Sequence, residues 1–245
     1  MLYQTMIRFI LRVNSKSYEL CENVYFQVLT NKDKLVLQKH HIASRKVYAI
    51  PSGIDFSRYH VTKNNAYFNI VFIGRLNDIH KGIHSLLRLI NIVLRNSGID
   101  SQFVIIGDGP SANLVQDFCR GRDNVKYLGF VSEEEKIRLL SESNLMIVVS
   151  NVEPFSLVTL EGLASGLPIV TTPVSGPASI ISSIPFAGEV SSFSVKKLAR
   201  AIEAYKSHWF SDKEMYFQEK TMIRNAAEKV FDLKTMMNSY YDMLA

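Results

Sequence analysis

FNIVFIGRLNDIHKGIHSLLRLINIVLRN, residues 68–96, passes from an apolar run through a charged loop into a helix-patterned segment. Five of the six residues in 68–73 are apolar, with no alternation, as in a strand buried on both faces. From Ile83 the apolar positions fall at helical spacing. The unit then recurs. SQFVIIG (101–107) precedes SANLVQDFCRG (111–121), and NVKYLGF (124–130) precedes SEEEKIRLLSES (132–143). NLMIVVS (144–150) precedes SLVTLEGLAS (156–165), and LPIVTT (167–172) reads as a further strand. Strands alternating with helices predict an α/β, doubly wound parallel sheet.

Working outward, VYFQVLT (24–30) reads as a buried strand, and Asn31 as the cap of a helix running to about His40. KVYAIP (46–51) is a short strand stopped by Pro51-Ser52-Gly53. Residues 59–67 are polar and turn-rich, a surface connection. Residues 2–20 place Leu2, Met6, Phe9, Ile10 and Val13 at helical spacing. The tail predicts helices over 194–208, 211–229 and 232–244.

The chain has 245 residues, 47% of them hydrophobic and 21% charged, so it can bury a core and is not a disordered polymer. Its formal net charge of +5 suits an anionic small ligand or membrane surface. No dense basic stripe points to nucleic acid. Two cysteines, Cys21 and Cys119, make no disulfide framework, and no C-x-x-C occurs. No apolar run approaches the ~20 residues of a membrane span. Arg8 and Arg12 interrupt the N-terminal apolar stretch, which argues against a signal peptide. The expected location is cytoplasmic, with a peripheral place on the inner face of the membrane as the second option.

Ligands of open parallel sheets bind outside the carboxyl ends of the strands. Three loops therefore matter, those after Ile73, Ile106 and Ser150. The first, Gly74 to Gly82, carries Arg75 and Lys81, a fork and a point charge suited to a diphosphate. Gly74 lets the backbone approach a ligand. The second, Gly107-Asp108-Gly109-Pro110-Ser111-Ala112, formally matches the dinucleotide fingerprint but falls on the second strand–helix unit. It reads as a tight turn bordering a ligand, with Pro110 in the first helical turn. The third holds Glu153 in the loop and Glu161 about five residues into a helix, roughly 7–8 Å below its start. Between them the free N–H groups of the helix start form a natural site for negative charge. His80 and His84 lack a third metal ligand, and Glu133-Glu134-Glu135 reads as first-turn charge.

IPSGID, FIGRL…KGI, VIIGDGP, VKYLGFV and EPFSLVTLEGLASGLPIV stand in the order seen in family 4 of the glycosyltransferases, and from about residue 24 onward the chain resembles that family. The resemblance implies a GT-B fold, of which this chain carries the Rossmann-like donor-binding domain. By that likeness residues 1–48 are the remnant of an acceptor-side domain, 49–230 the nucleotide-sugar donor-binding domain, and 231–245 a C-terminal helix. The implied activity is transfer of a hexose from a UDP- or GDP-linked sugar to a saccharide or lipid-linked acceptor, with retention of configuration, in polysaccharide or glycolipid synthesis. No metal or other cofactor is expected. Arg75 and Lys81 would hold the diphosphate, and Gly109 would let the chain pass close to it. The amides near Phe155, Ser156 and Leu157 would approach sugar and phosphate, Glu153 the transferred sugar, and Glu161 the ribose. The family commonly has Asn at Ser52, and Gly-Gly and a later Glu at Ser175-Gly176 and Ser179. Residues 1–48 are too few for a full acceptor wall. The alternative is therefore a non-catalytic donor-binding subunit, with a partner chain or self-association through the N-terminal helix. An NAD-dependent oxidoreductase is the third reading, and it leaves Arg75, Lys81, Glu153 and Glu161 without a role.

Overall fold

The computed structural model describes residues 25–39, 46–63, 67–97 and 101–244. The expected N-terminal helix over 2–20, Cys21 and the pair His40-His41 lie outside them. The chain forms two compact units, Met1–Gly53 with Leu233–Ala245, and Ile54–Asp232.

In the first unit, strand β1 (Phe26–Val28) is followed by helix α1 (Asn31–Lys39) and strand β2 (Val47–Ala49). The strands pair in parallel, Phe26 opposite Val47 and Val28 opposite Ala49. Helix α1 is capped one residue earlier than the sequence reading expects. Thr30 Oγ1 accepts from the Asp33 amide at 3.1 Å and donates to its carboxylate at 2.6 Å. The C-terminal helix, Leu233–Leu244, belongs to this unit.

The second unit is a six-stranded parallel sheet with helices on both faces. Its elements run β3 (Phe68–Ile73), α2 (Asp78–Lys81), α3 (Ile83–Ser97), β4 (Ser101–Ile106), α4 (Ala112–Cys119) and β5 (Val125–Gly129). They continue as α5 (Glu133–Ser141), β6 (Leu145–Val148), α6 (Leu157–Ala164), β7 (Ile169–Thr171), α7 (Ser175–Ser182) and β8 (Gly188–Val190). Helices α8 (Val195–Ser211) and α9 (Lys213–Phe231) close the unit. The strand order is β5-β4-β3-β6-β7-β8. The chain builds outward from β3 to β5, then returns to lay β6 on the other side of β3. Between β3 and β6 the order reverses, and a crevice opens at such a point.

Strand β3 shows why its apolar run does not alternate. Phe68, Ile70 and Phe72 enter one core with α3 and α8, while Val71 enters the other with α6, α7 and α9. On α3, Leu86, Leu89, Ile90 and Val93 are fully buried, each contributing about 1.5–3 kcal/mol. Two elements escape the sequence reading, α7 and β8. Residues 173–193 are rich in Pro, Ser and Gly, and β8 has three residues, too few for a period. Helix α2 is also new. Asn77 caps it by accepting from the His80 amide, and Gly82 ends it at φ 63°, where a Cβ would lie 2.4 Å from the Val149 carbonyl oxygen.

Candidate active site

The loops after β3, β4 and β6 meet at the carboxyl edge of the sheet, as their positions in the sequence imply. The first two are sewn together by backbone. The Gly74 amide donates to Ile106 O at 3.1 Å, Leu76 N to Asp108 O at 2.8 Å, and Ser111 N to Leu76 O at 2.9 Å. Gly109 allows this approach. Its φ is 154°, and a Cβ there would sit 2.6 Å from the Leu76 carbonyl oxygen. Pro110 lies in the turn before α4, whose N-cap is Ser111, and not in the first helical turn.

The third loop is tied to the first through α2. Asn151 N donates to His80 O at 2.7 Å, and Asn151 Nδ2 to Asp78 O at 3.0 Å. This brings Lys81 and Glu153 together, and their side chains form a half-buried ion pair. The aliphatic stem of Lys81 covers Gly74, 3.4 Å from where a Cβ would be. The Glu153 carbonyl accepts from the Gly176 amide at 2.9 Å, so α7, unread in the sequence, braces this loop.

Helix α6 starts at the same edge. The Ser156 side chain caps it, accepting from Thr159 N at 3.3 Å. The first-turn amides above it have no intrahelical acceptor and face the loop region. Leu157 is exposed, while Phe155 packs partly buried against the core and its backbone lies close against Gly176 of α7, where a Cβ would be 2.7 Å from the Phe155 nitrogen.

A cleft of about 600 Å³ lies along this edge, lined in part by Gly74, Arg75, Gly109, Phe130, Glu133 and Lys136. Arg75 is exposed along it. Lys81, Glu153 and Glu161 are not on its lining. Glu161, the fifth residue of α6, sits behind Lys136, whose Nζ lies 2.8 Å from Glu161 Oε1 and 2.8 Å from Glu133 Oε2. The second oxygen of Glu161 is buried without a partner. Burial pushes the Glu161 carboxyl above its ordinary range, against the hydrogen bond and charge of Lys136. Burial opposes the charge of Lys136 too, but its two carboxylate partners outweigh it and raise the ammonium. Burial and the Glu161 charge together push the Tyr59 phenol up.

Four cleft residues were missed by the sequence reading. Phe130, 88% exposed, Val131, Glu133 and Lys136 follow β5. Their signal was position: β5 is the next strand outward from β4, so its carboxyl end borders the same crevice. The first-turn reading of Glu133 holds, with Ser132 as N-cap, and the cleft uses the residue as well. His84 pairs with Asp78, Nδ1 to Oδ2 3.0 Å. Among the described residues no three His, Cys, Asp or Glu side chains cluster as a metal site, and no helix is long and apolar enough to cross a membrane.

The chain is similar to known glycosyltransferases. The family model of the group 1 glycosyl transferases matches residues 54–228. An uncharacterised glycosyltransferase of Methanocaldococcus jannaschii is 34% identical over 115 residues, covering 46% of this chain and 29% of that one. The chain thus spans less than a third of that relative. A glycosyltransferase from Rickettsia africae shares the fold with a TM-score of 0.77 at 17% identity, over 95% of this chain and 67% of that one. HepE of Anabaena, solved in complex with UDP-glucose, has a TM-score of 0.73 at 17% identity, over 96% of this chain and 66% of its own.

Proposed function

The chain belongs to the group 1 glycosyl transferases, and on that premise we propose that its second unit binds a nucleotide-diphosphate sugar for retaining transfer to a saccharide or lipid-linked acceptor. The observation that carries this reading is the convergence of Arg75, the Lys81–Glu153 pair and the α6 start on one sheet edge at the point where strand order reverses.

The chemistry follows from charge. Breaking the bond between sugar and diphosphate builds negative charge on the leaving group. Fixed cations and amide dipoles stabilise that charge best where it develops. In this reading Arg75 and Lys81 take the diphosphate, the amides of Leu157 and Val158 add the positive end of α6, and Gly109 gives the phosphates backbone access. Lys81 cannot serve the diphosphate fully while it is paired. Donor binding transfers Lys81 from Glu153 to phosphate and frees Glu153 for the sugar hydroxyls. Glu161 takes the ribose, whose vicinal diol can donate to a carboxylate. Phe130 offers an aromatic face to the base. A likeness of fold to a UDP-glucose complex supports UDP over GDP as the first donor to try. Polysaccharide or glycolipid synthesis is the setting this activity suits.

Isothermal titration with UDP, GDP, UDP-glucose and NAD tests the reading. A nucleoside diphosphate is expected to bind, and Arg75→Ala to weaken it at least tenfold, about 1.4 kcal/mol. Binding of NAD with no response to either diphosphate overturns it.

A further inference from the structure

A second charged surface of the same unit stands apart from the cleft. Strand β8 ends the sheet, beyond β7. From its carboxyl end the chain runs Ser191-Ser192-Phe193-Ser194 into α8. Two grooves flank the first turns of that helix. One, of about 510 Å³, is lined in part by Val190, Ser192, Lys197 and Arg200. The other, of about 390 Å³, is lined in part by Ile92, Asn96, Lys196 and Arg200. Lys196, Lys197 and Arg200 are all exposed, and none of them forms an ion pair among the described residues. One carboxylate borders each groove, Glu189 the first and Glu203 the second. Helix α3, packed beside α8, adds the exposed Arg88 and Arg95 and no acid. The surface is therefore cationic on balance.

Apolar side chains stand at the head of these turns. Phe193 is 56% exposed and Val190 38%. A single exposed ring is ordinary on a protein surface. Here the ring lies three residues before Lys196, beside cations that no carboxylate holds. That combination suits an anionic bilayer interface, where an aromatic ring enters the headgroup layer and Lys and Arg meet lipid phosphates. A soluble polyanion would use the cations and leave Phe193 and Val190 without a role.

We propose that the start of α8, with Phe193 and the cations Lys196, Lys197 and Arg200, docks reversibly on a membrane surface of anionic lipid. The inference goes beyond the donor-site reading and does not rest on it. Its consequence follows from strand direction. The start of α8 and the cleft both lie at the carboxyl edge of the sheet. Docking therefore turns that edge toward the headgroup layer, where a lipid-linked acceptor would present its sugar. Each Lys or Arg beside an anionic surface contributes about fivefold to partition, and three contribute roughly a hundredfold. An attachment of this size is weak and salt-sensitive.

Sedimentation of the full-length chain with vesicles tests this. Wild type is expected to bind phosphatidylcholine vesicles carrying about 30% phosphatidylglycerol, not phosphatidylcholine alone, and to be released as salt rises from about 0.1 to 0.5 M. The triple variant Lys196→Gln, Lys197→Gln, Arg200→Gln is expected to lose about a hundredfold in partition. Phe193→Ala should lose at least about threefold. A control on the other lysine-bearing helix, α1, with Lys32, Lys34 and Lys39 all changed to Gln, should stay within about twofold of wild type. Wild-type partition in the α8 variant, or a larger loss in the α1 control, overturns the proposal. Hydrogen exchange reads the location without any substitution. Anionic vesicles are expected to slow exchange within residues 191–200 of wild type, and protection confined to other segments overturns it. Capture of inorganic polyphosphate through the same three cations, with no binding to vesicles, overturns it too and makes the grooves a site for a soluble anion.

Discussion

At the scale of single residues, the oddest group is one the cleft does not use. Lys220 on α9 is 2% exposed, and its ammonium donates to Ser143 O at 2.7 Å and Thr62 O at 3.5 Å, with no carboxylate among its bonded partners. Burial pulls its pKa from 10.5 down to about 7. The sign follows from linkage. Between pH 7 and 10.5 the unfolded chain holds a proton there that the folded chain has lost, so raising the pH through this window stabilises the fold. At about 1.4 kcal/mol per unit, the difference amounts to roughly 4–5 kcal/mol across the window. Urea unfolding at pH 7 and pH 9.5 should show a higher midpoint at the alkaline value. Lys220→Met should erase most of that difference. Equal pH dependence in variant and wild type would show that Lys220 titrates normally. Other buried groups cannot mimic this: Tyr205 is pushed up to about 12 and Tyr216 is raised too, so both stay neutral throughout.

At the scale of elements, α6 joins folding to the site. Its interior face is core, with Leu160, Leu163 and Ala164 fully buried, while its start lies at the carboxyl edge of the sheet and its Glu161 pairs with Lys136 of the cleft lining. The Ser156 cap sits between the two duties. Ser156→Ala removes the acceptor of the Thr159 amide and should cost about 1 kcal/mol of stability, read as a fall in melting temperature. It also frees the first turn to fray, so diphosphate affinity should fall along with stability. Ser156→Asp should keep the cap and restore the melting temperature. If its affinity stays low even so, the added negative charge beside the proposed diphosphate position is the reason. A Ser156→Ala protein with unchanged melting temperature would show that the hydroxyl is not capping.

At the scale of the whole molecule, residues 54–232 have the closure of an independent domain. Their two ends meet: Ile54 N donates to Phe231 O at 3.0 Å, and Ile54 bridges Asp232 in parallel. Arg224 fastens the same closure, donating to Phe56 O at 2.9 Å and Ala164 O at 2.6 Å. A fragment of residues 54–232 should therefore unfold in one cooperative transition by circular dichroism and keep the full protein's diphosphate affinity within about threefold. A molten fragment, lacking near-ultraviolet signal, would show that residues outside this stretch complete its core.

Much of this was fixed by the chain's local pattern. The doubly wound sheet was legible because its strands are buried on both faces, which makes each a plain apolar run. Arg75, Lys81, Glu153 and the α6 start could be assigned to one edge, since strand direction alone sends those loops there. The fold as read and the family resemblance agree with the architecture and the family match. Three things needed tertiary structure. Helix α7 and strand β8 carry little periodicity, and their place comes from pairing with β7 and bracing the Glu153 loop. Pairing of Lys81 with Glu153, 72 residues apart, depends on Asn151 clasping α2. Lys136 drew no reading from the sequence, and only the packing of α5 beside α6 brings its ammonium to both the cleft lining and Glu161. Sequence periodicity reports which face of an element is buried; it carries no information on which distant charge will stand opposite, because that distance is set by how the helices pack.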